Sequence, residues 1–147
     1  MAIRKQYLLG ILMALWVAGS VMAVSAKDVD DYLAKAGDQF KQGDYSHAAK
    51  LYRKAVKADA KNPYGSLGLA MALKEQRKYS EARDVLQRLI QTNPQFTPAY
   101  YNLGLVLEAE GNAAKAKDMY RQYVMHCQGQ VPPSPTVRIK LRKLGLL

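Results

Sequence analysis

From Val29 onward, apolar side chains recur three and four residues apart in short blocks, and each block stops at a turn-forming pair. That spacing puts them on one face of a helix, so the pattern predicts a run of amphipathic helices. Tyr32, Ala36, Gln39 and Phe40 belong to the first, which the acids from Asp28 to Asp31 suit as an N-terminus and Gly43-Asp44 ends. Ala48, Leu51, Tyr52, Ala55 and Val56 form the second, closed by Asn62-Pro63. There Asn62 is the expected N-cap and Pro63 the first helical residue of the third helix. The third runs through Leu69, Ala70 and Leu73 to a turn at Arg77-Lys78. The fourth carries Ala82, Val85, Leu86, Leu89 and Ile90 and ends before Asn93-Pro94. Thr97-Pro98 reads as the same cap-plus-proline start for the fifth, through Tyr100, Leu103 and Leu107 to Gly111-Asn112. The sixth carries Ala116, Tyr120 and Tyr123 and ends near Cys127, with Gly129 as C-cap residue. After the stiff connector Val131-Pro132-Pro133, Ser134-Pro135 starts a last short helix with Val137, Leu141 and Leu144 on one face. Val137 to Leu141 also alternates like a strand, but the sequence offers no partner strand.

The blocks repeat with a period of 34 residues. Ala116 falls on Ala82 and Ala48; Tyr120 on Leu86 and Tyr52; Tyr123 on Leu89 and Ala55. Leu103-Gly104 falls on Leu69-Ala70 and then on Lys35-Ala36. A small residue held in register opposite large ones describes paired helices that approach too closely for a longer side chain. The expected fold is therefore all-α, an array of stacked helical hairpins whose last helix covers the open end.

These positions resemble the tetratricopeptide repeat (TPR) family. The third unit matches best, with Tyr100, Leu103, Gly104, Leu107, Gly111, Ala116, Tyr120 and Tyr123. The second keeps Leu69, Ala70, Leu73, Tyr79, Ala82, Leu86, Leu89 and Pro94, and the first keeps Tyr32, Ala36, Gly43, Tyr45, Ala48, Tyr52 and Ala55. The first departs at Lys35, Gln39 and Ala60, which suggests a loosely held, outward-facing first helix. The resemblance implies a superhelical array of three units, residues 29–62, 63–96 and 97–130, with a capping helix over 131–147. It also implies a concave groove lined by the first helix of each unit. Carried over position by position, that groove takes Asp30, Leu33, Gly37, Phe40 and Lys41 from the first unit. Tyr64, Leu67, Met71, Lys74 and Glu75 follow from the second, and Pro98, Tyr101, Leu105, Glu108 and Ala109 from the third. The partner-binding set is Leu33, Phe40, Tyr64, Leu67, Met71, Tyr101 and Leu105. Some family members clamp a C-terminal carboxylate with Lys, Arg and Asn; those positions here hold Leu33, Gly37, Gly68, Pro98 and Asn102, so no clamp is expected. An apolar groove suits an amphipathic helix or an extended hydrophobic peptide.

Residues 1–26 read as a bacterial signal peptide: basic Arg4-Lys5, an uncharged stretch from Tyr7 to Val24, then Val24-Ser25-Ala26 as the cleavage site. Lys27 is then the first mature residue, and Ala23 a second site of cleavage. The expected location is the periplasm; the alternative is an uncleaved inner-membrane anchor with periplasmic repeats. The net charge is +10, with Arg4 and Lys5 in the leader and Arg138, Lys140, Arg142 and Lys143 in a tail that lacks acids. The charge left on the repeats is too small for a nucleic-acid surface. Lys50, Arg53, Lys54, Lys57 and Lys61 form a basic run on the second helix, a solvated face with peripheral membrane contact as the alternative.

No constellation in the sequence carries chemistry. His47 and His126 share no metal-ligand spacing, no phosphate-binding glycine loop follows a strand, and Cys127 at a helix end is unsuited to a thiolate. No enzyme activity, cofactor or metal is expected. The expected function is a protein–protein interaction module, similar to accessory proteins of pilus assembly and secretion. A self-assembling, oligomeric scaffold, or a factor presenting an apoprotein to an envelope enzyme, are the alternatives.

Overall fold

The computed structural model describes residues 26–127 and 134–147. The leader, its cleavage site and Gly129 lie largely outside these residues. Among the described residues seven helices follow one another: α1 (Ala26–Lys41), α2 (Tyr45–Ala58), α3 (Pro63–Glu75), α4 (Tyr79–Thr92), α5 (Thr97–Ala109), α6 (Ala113–His126) and α7 (Pro135–Lys143). There is no strand among the described residues. None of these helices is long and apolar enough to cross a membrane.

Each hairpin turns through the same device. Gly43, Arg77, Gly111 and Gly145, spaced at the repeat period, all have positive φ, between 60° and 83°. The following N–H reaches back to close the helix end: Asp44 to the Gln39 carbonyl, Lys78 to Leu73, Asn112 to Leu107 and Leu146 to Leu141. This is the left-handed C-terminal motif that favours glycine, so Arg77 adopts it at a cost of about 1 kcal/mol. One residue further on, Asp44 accepts a hydrogen bond from the His47 N–H at 2.9 Å and Asn112 one from the Lys115 N–H at 3.2 Å. Those side chains start α2 and α6 at N–H groups that would otherwise be orphaned.

Asn62 caps α3 as the sequence predicts, accepting from the Tyr64 N–H. The α5 start differs: Thr97 is already helical, Phe96 occupies the N-cap without a side-chain hydrogen bond, and Pro98 is the second helical residue. Phe96 instead packs against the core. Asp28 lies in the first turn of α1, where the sequence places acids.

Ala48, Ala82 and Ala116 are essentially inaccessible, as close helix pairing requires. A continuous core runs from Ala48 through Leu69, Leu73, Leu86, Leu103 and Leu107 to Tyr120 and Leu141. The expectation of a loose first helix is corrected. Val29 and Ala36 bury α1 against the array, while Lys35, at the position of Leu69 and Leu103, turns outward to Asp31 at 2.8 Å. The small apolar contacts suffice for docking because the charged positions find solvent instead of core.

α7 seals the far end. Leu141 is fully buried, and Val137, Leu144 and Leu146 pack beside it. The predicted capping role holds, since these residues cover apolar surface that the last repeat would otherwise expose.

Candidate functional site

Besides contacts between sequential neighbours, α1 touches α3 and α3 touches α5, whereas no comparable approach links α2 to α4 or α4 to α6 among the described residues. The odd-numbered helices are thus the crowded, inner side of the curve and the even-numbered ones the outer side. Positions repeating at the period on α1, α3 and α5 form rows across that inner side: Leu33, Leu67 and Tyr101 in one, Gly37, Met71 and Leu105 in the next.

Most of the predicted groove residues are less open than a free binding strip would be. Leu33 and Met71 are half-buried, and Phe40, Leu67, Tyr101 and Leu105 pack partly onto the core. Tyr101 sits at 5.5 Å and 5.4 Å, centroid to centroid, from the rings of Tyr120 and Tyr123. Phe40 meets Tyr45 edge-on at 5.1 Å. Only Tyr64 stands out, 62% exposed, its ring held edge-on against Phe96 at 5.5 Å. Tyr101 and Leu105, besides facing the inner side, are thus half-buried and braced by the core. The third repeat is rich in tyrosine, and rings on α6 are long enough to reach through the hairpin and prop α5 from behind.

Charge gathers at the C-terminal ends of the inner helices. Lys74 pairs with Glu75 at 2.7 Å, and Glu108 accepts from the Lys140 ammonium of α7 at 2.5 Å. Lys140 also lies 5.3 Å above the Tyr120 ring. The Tyr120 hydroxyl is buried and makes no well-formed hydrogen bond among the described residues, although the Glu108 carboxylate acts on it. Burial, then Glu108, push that phenol well above its ordinary range. Burial and the neighbouring Cys127 thiol raise Tyr123 to about 12. Both tyrosines are thus held neutral in the fold. The sequence reading missed the Glu108–Lys140 pair, although the repeat period places Lys140 on Val106, a residue that faces the core.

The clamp positions offer no carboxylate grip. Gly68 is buried beneath the Tyr52 ring, and the Asn102 amide donates to the Pro98 carbonyl at 2.9 Å. His126 is half-buried, stacked on Tyr100 at 4.7 Å. His47 is exposed against Asp44 at 3.0 Å. Cys127 is half-buried at the α6 C-cap. Among the described residues no cluster of metal-ligating side chains converges. On the basic run of α2, Arg53 pairs with Glu81 at 3.4 Å and Lys54 lies over the Tyr32 ring at 5.7 Å.

Hairpins of this length, with small residues in register and a lined inner face, define a helical-repeat interaction scaffold. The chain belongs to the tetratricopeptide repeat family: two models described as tetratricopeptide repeat match it, at residues 39–105 and 97–125. A curated relative, the tetratricopeptide repeat and J domain-containing co-chaperone DNJ1 of Cryptococcus neoformans, is 30% identical over 83 residues. That is 56% of this chain but only 16% of the relative's length. Among solved structures, the first TPR of Spaghetti (RPAP3) bound to an HSP90 peptide superposes with a TM-score of 0.71 at 24% identity. It covers 84% of this chain and 95% of that one. The Yersinia enterocolitica type III secretion translocator chaperone SycD superposes with a TM-score of 0.72 at 15% identity, covering 82% of this chain and 87% of that one. At these identities the two structures speak to the fold alone.

Proposed function

We propose that this protein is a non-enzymatic module of the bacterial envelope that holds an apolar peptide or amphipathic helix on its inner face during assembly of a pilus or secretion apparatus. The observation that carries the reading is the inner face itself: apolar rows through Leu33, Leu67, Tyr101, Met71 and Leu105, the exposed Tyr64 ring at the rim, and no cation at the clamp positions. Structural neighbours hold peptides of HSP90 and HSP70. The apolar lining here favours a partner recognised by hydrophobic anchors rather than by a terminal carboxylate. The leader sequence supports export, and the fold shared with a translocator chaperone supports, by analogy, a role in assembly.

Isothermal titration of the protein with two probes tests this reading. An amphipathic helical peptide should bind, and an acidic peptide ending in a free carboxylate should not. Truncating Tyr64 to Ala should weaken the first by roughly thirtyfold, the scale of a large aromatic anchor. Binding of the acidic peptide alone would overturn the apolar reading. N-terminal sequencing of the native protein checks export: a start at Lys27 supports it, and an intact N-terminus in a membrane fraction establishes the anchor instead.

A further inference from the structure

On the outer side of the array the two junctions between repeats carry different chemistry at the same register. At the first junction Arg53 of α2 reaches across to Glu81 of α4 at 3.4 Å. One period later those two positions hold Gln87 of α4 and Lys115 of α6. The Gln87 amide and the Lys115 ammonium make no hydrogen bond or ion pair among the described residues, so this junction is not bridged. Between α4 and α6 the two side chains line a cavity of about 260 Å³. Its floor is apolar: Leu103 and Leu107, which belong to the core, and the half-buried Met119. Its polar wall is the partly buried Arg83–Glu110 pair, 2.6 Å apart, with Arg83 also 3.9 Å from Asp84. Asp118 at the rim is held by Arg121 at 2.6 Å. Both acids that line the cavity are therefore paired, and Lys115 is the cation without a counter-ion.

We infer that this cavity binds a small carboxylate with an apolar body. The carboxylate accepts from the Lys115 ammonium and the Gln87 amide and bridges α4 to α6, as the Glu81 carboxylate bridges α2 to α4 one period earlier. The body lies over Leu103, Leu107 and Met119. A hydrogen bond to an ionised partner is about twice as strong as a neutral one, so the free ammonium beside an apolar floor selects an anion. A cationic ligand would meet Lys115 and find both acids engaged. The cavity is just smaller than the roughly 300 Å³ at which ligand pockets usually begin, which suits one apolar residue or a short acyl chain. Two molecules share that chemistry: a free short-chain acid, and the last residue of a peptide with an apolar C-terminus. Either would sit on the outer side, between α4 and α6, away from the apolar rows of the inner face.

Methyl NMR of the full chain tests this with two acids, hexanoate and N-acetyl-leucine, and their neutral amides. At least one acid should shift the methyl signals of Leu103, Leu107 and Met119, with a Kd on the order of 1 mM for so small a ligand. Its amide should bind about tenfold more weakly, the scale of one charge-assisted hydrogen bond. The tighter of the two acids tells a free acid from a peptide terminus. Lys115→Gln, at an exposed position, should weaken the acid about tenfold as well. Gln87→Arg with Lys115→Glu installs the pair of the first junction and should abolish binding, and circular dichroism checks that the helices are kept. The comparison of acid with amide needs no variant at all. No shift at these three residues up to about 10 mM of either acid would overturn the inference. So would equal binding of acid and amide, or undiminished binding in the Gln87→Arg, Lys115→Glu variant.

Discussion

Gly104 and Gly37 are both glycines inside inner helices, and the structure predicts opposite outcomes for the same substitution. Glycine to alanine within a helix ordinarily stabilises by about 0.5–1 kcal/mol, because the unfolded chain has less freedom to lose. At Gly37 nothing lies within 4 Å of the added methyl, so Gly37→Ala should show that gain undiminished. At Gly104 the new Cβ would lie 2.8 Å from Cδ1 and Cζ of Tyr120, inside van der Waals contact along one edge of the ring. That ring is fully buried, flanked by Tyr101 and roofed by Lys140, so it has little room to swing aside. Overpacking costs about 1–3 kcal/mol, and a Cβ this deep inside a fixed ring belongs to the upper part of that range, so after the helix gain Gly104→Ala is left destabilised by about 1–2 kcal/mol. For a folded unit of roughly a hundred residues, that is a fall in Tm on the order of 4–16 °C. The second repeat already contains the remedy: where the third pairs Gly104 with Tyr120, the second pairs Ala70 with Leu86, and both are buried. Adding Tyr120→Leu to Gly104→Ala should therefore recover part of the loss, read as a favourable coupling in a double-mutant cycle. Urea and thermal melts of the four variants decide it. If Gly104→Ala raises Tm as Gly37→Ala does, the close approach of α5 and α6 is not the constraint described.

Two further outcomes follow from the site. Tyr64→Ala should leave the melt nearly unchanged, whereas Tyr101→Ala, which removes two ring contacts, should lower stability by about 2–3 kcal/mol in a urea titration; equal effects would mean that the two rings are equally structural. The neutral, buried tyrosines make the fold sensitive to alkali. Tyr123 is raised from about 10 to about 12, so the folded state holds its proton more tightly, and that contribution is present below pH 10 and lost as pH rises toward 12. Melts across that range should fall steadily, and Tyr123→Phe should flatten the slope.

The helices, their turns and their pairing were legible in the sequence because each rests on short-range rules. Spacing of three and four selects the buried face, Gly43 and Gly111 supply the left-handed turns, and Asn62-Pro63 starts a helix where it stands. The period then required small residues at 48, 82 and 116, and all three are buried in the shared core. What the sequence left open was how deep each half-buried position lies, because depth is set by side chains one helix away or further along the chain. Tyr101 and Tyr64 lie on the same face by register, yet one is propped from behind by Tyr120 and Tyr123 and the other overhangs the rim against Phe96. Lys35 broke the apolar pattern without loosening α1, since Val29 and Ala36 carry the docking. The same rules gave α7 as a helix with a buried seam. Only the packed structure brought Lys140 onto Glu108 and turned Arg138, Arg142 and Lys143 toward solvent, because which side of an end helix is covered depends on the helices it meets.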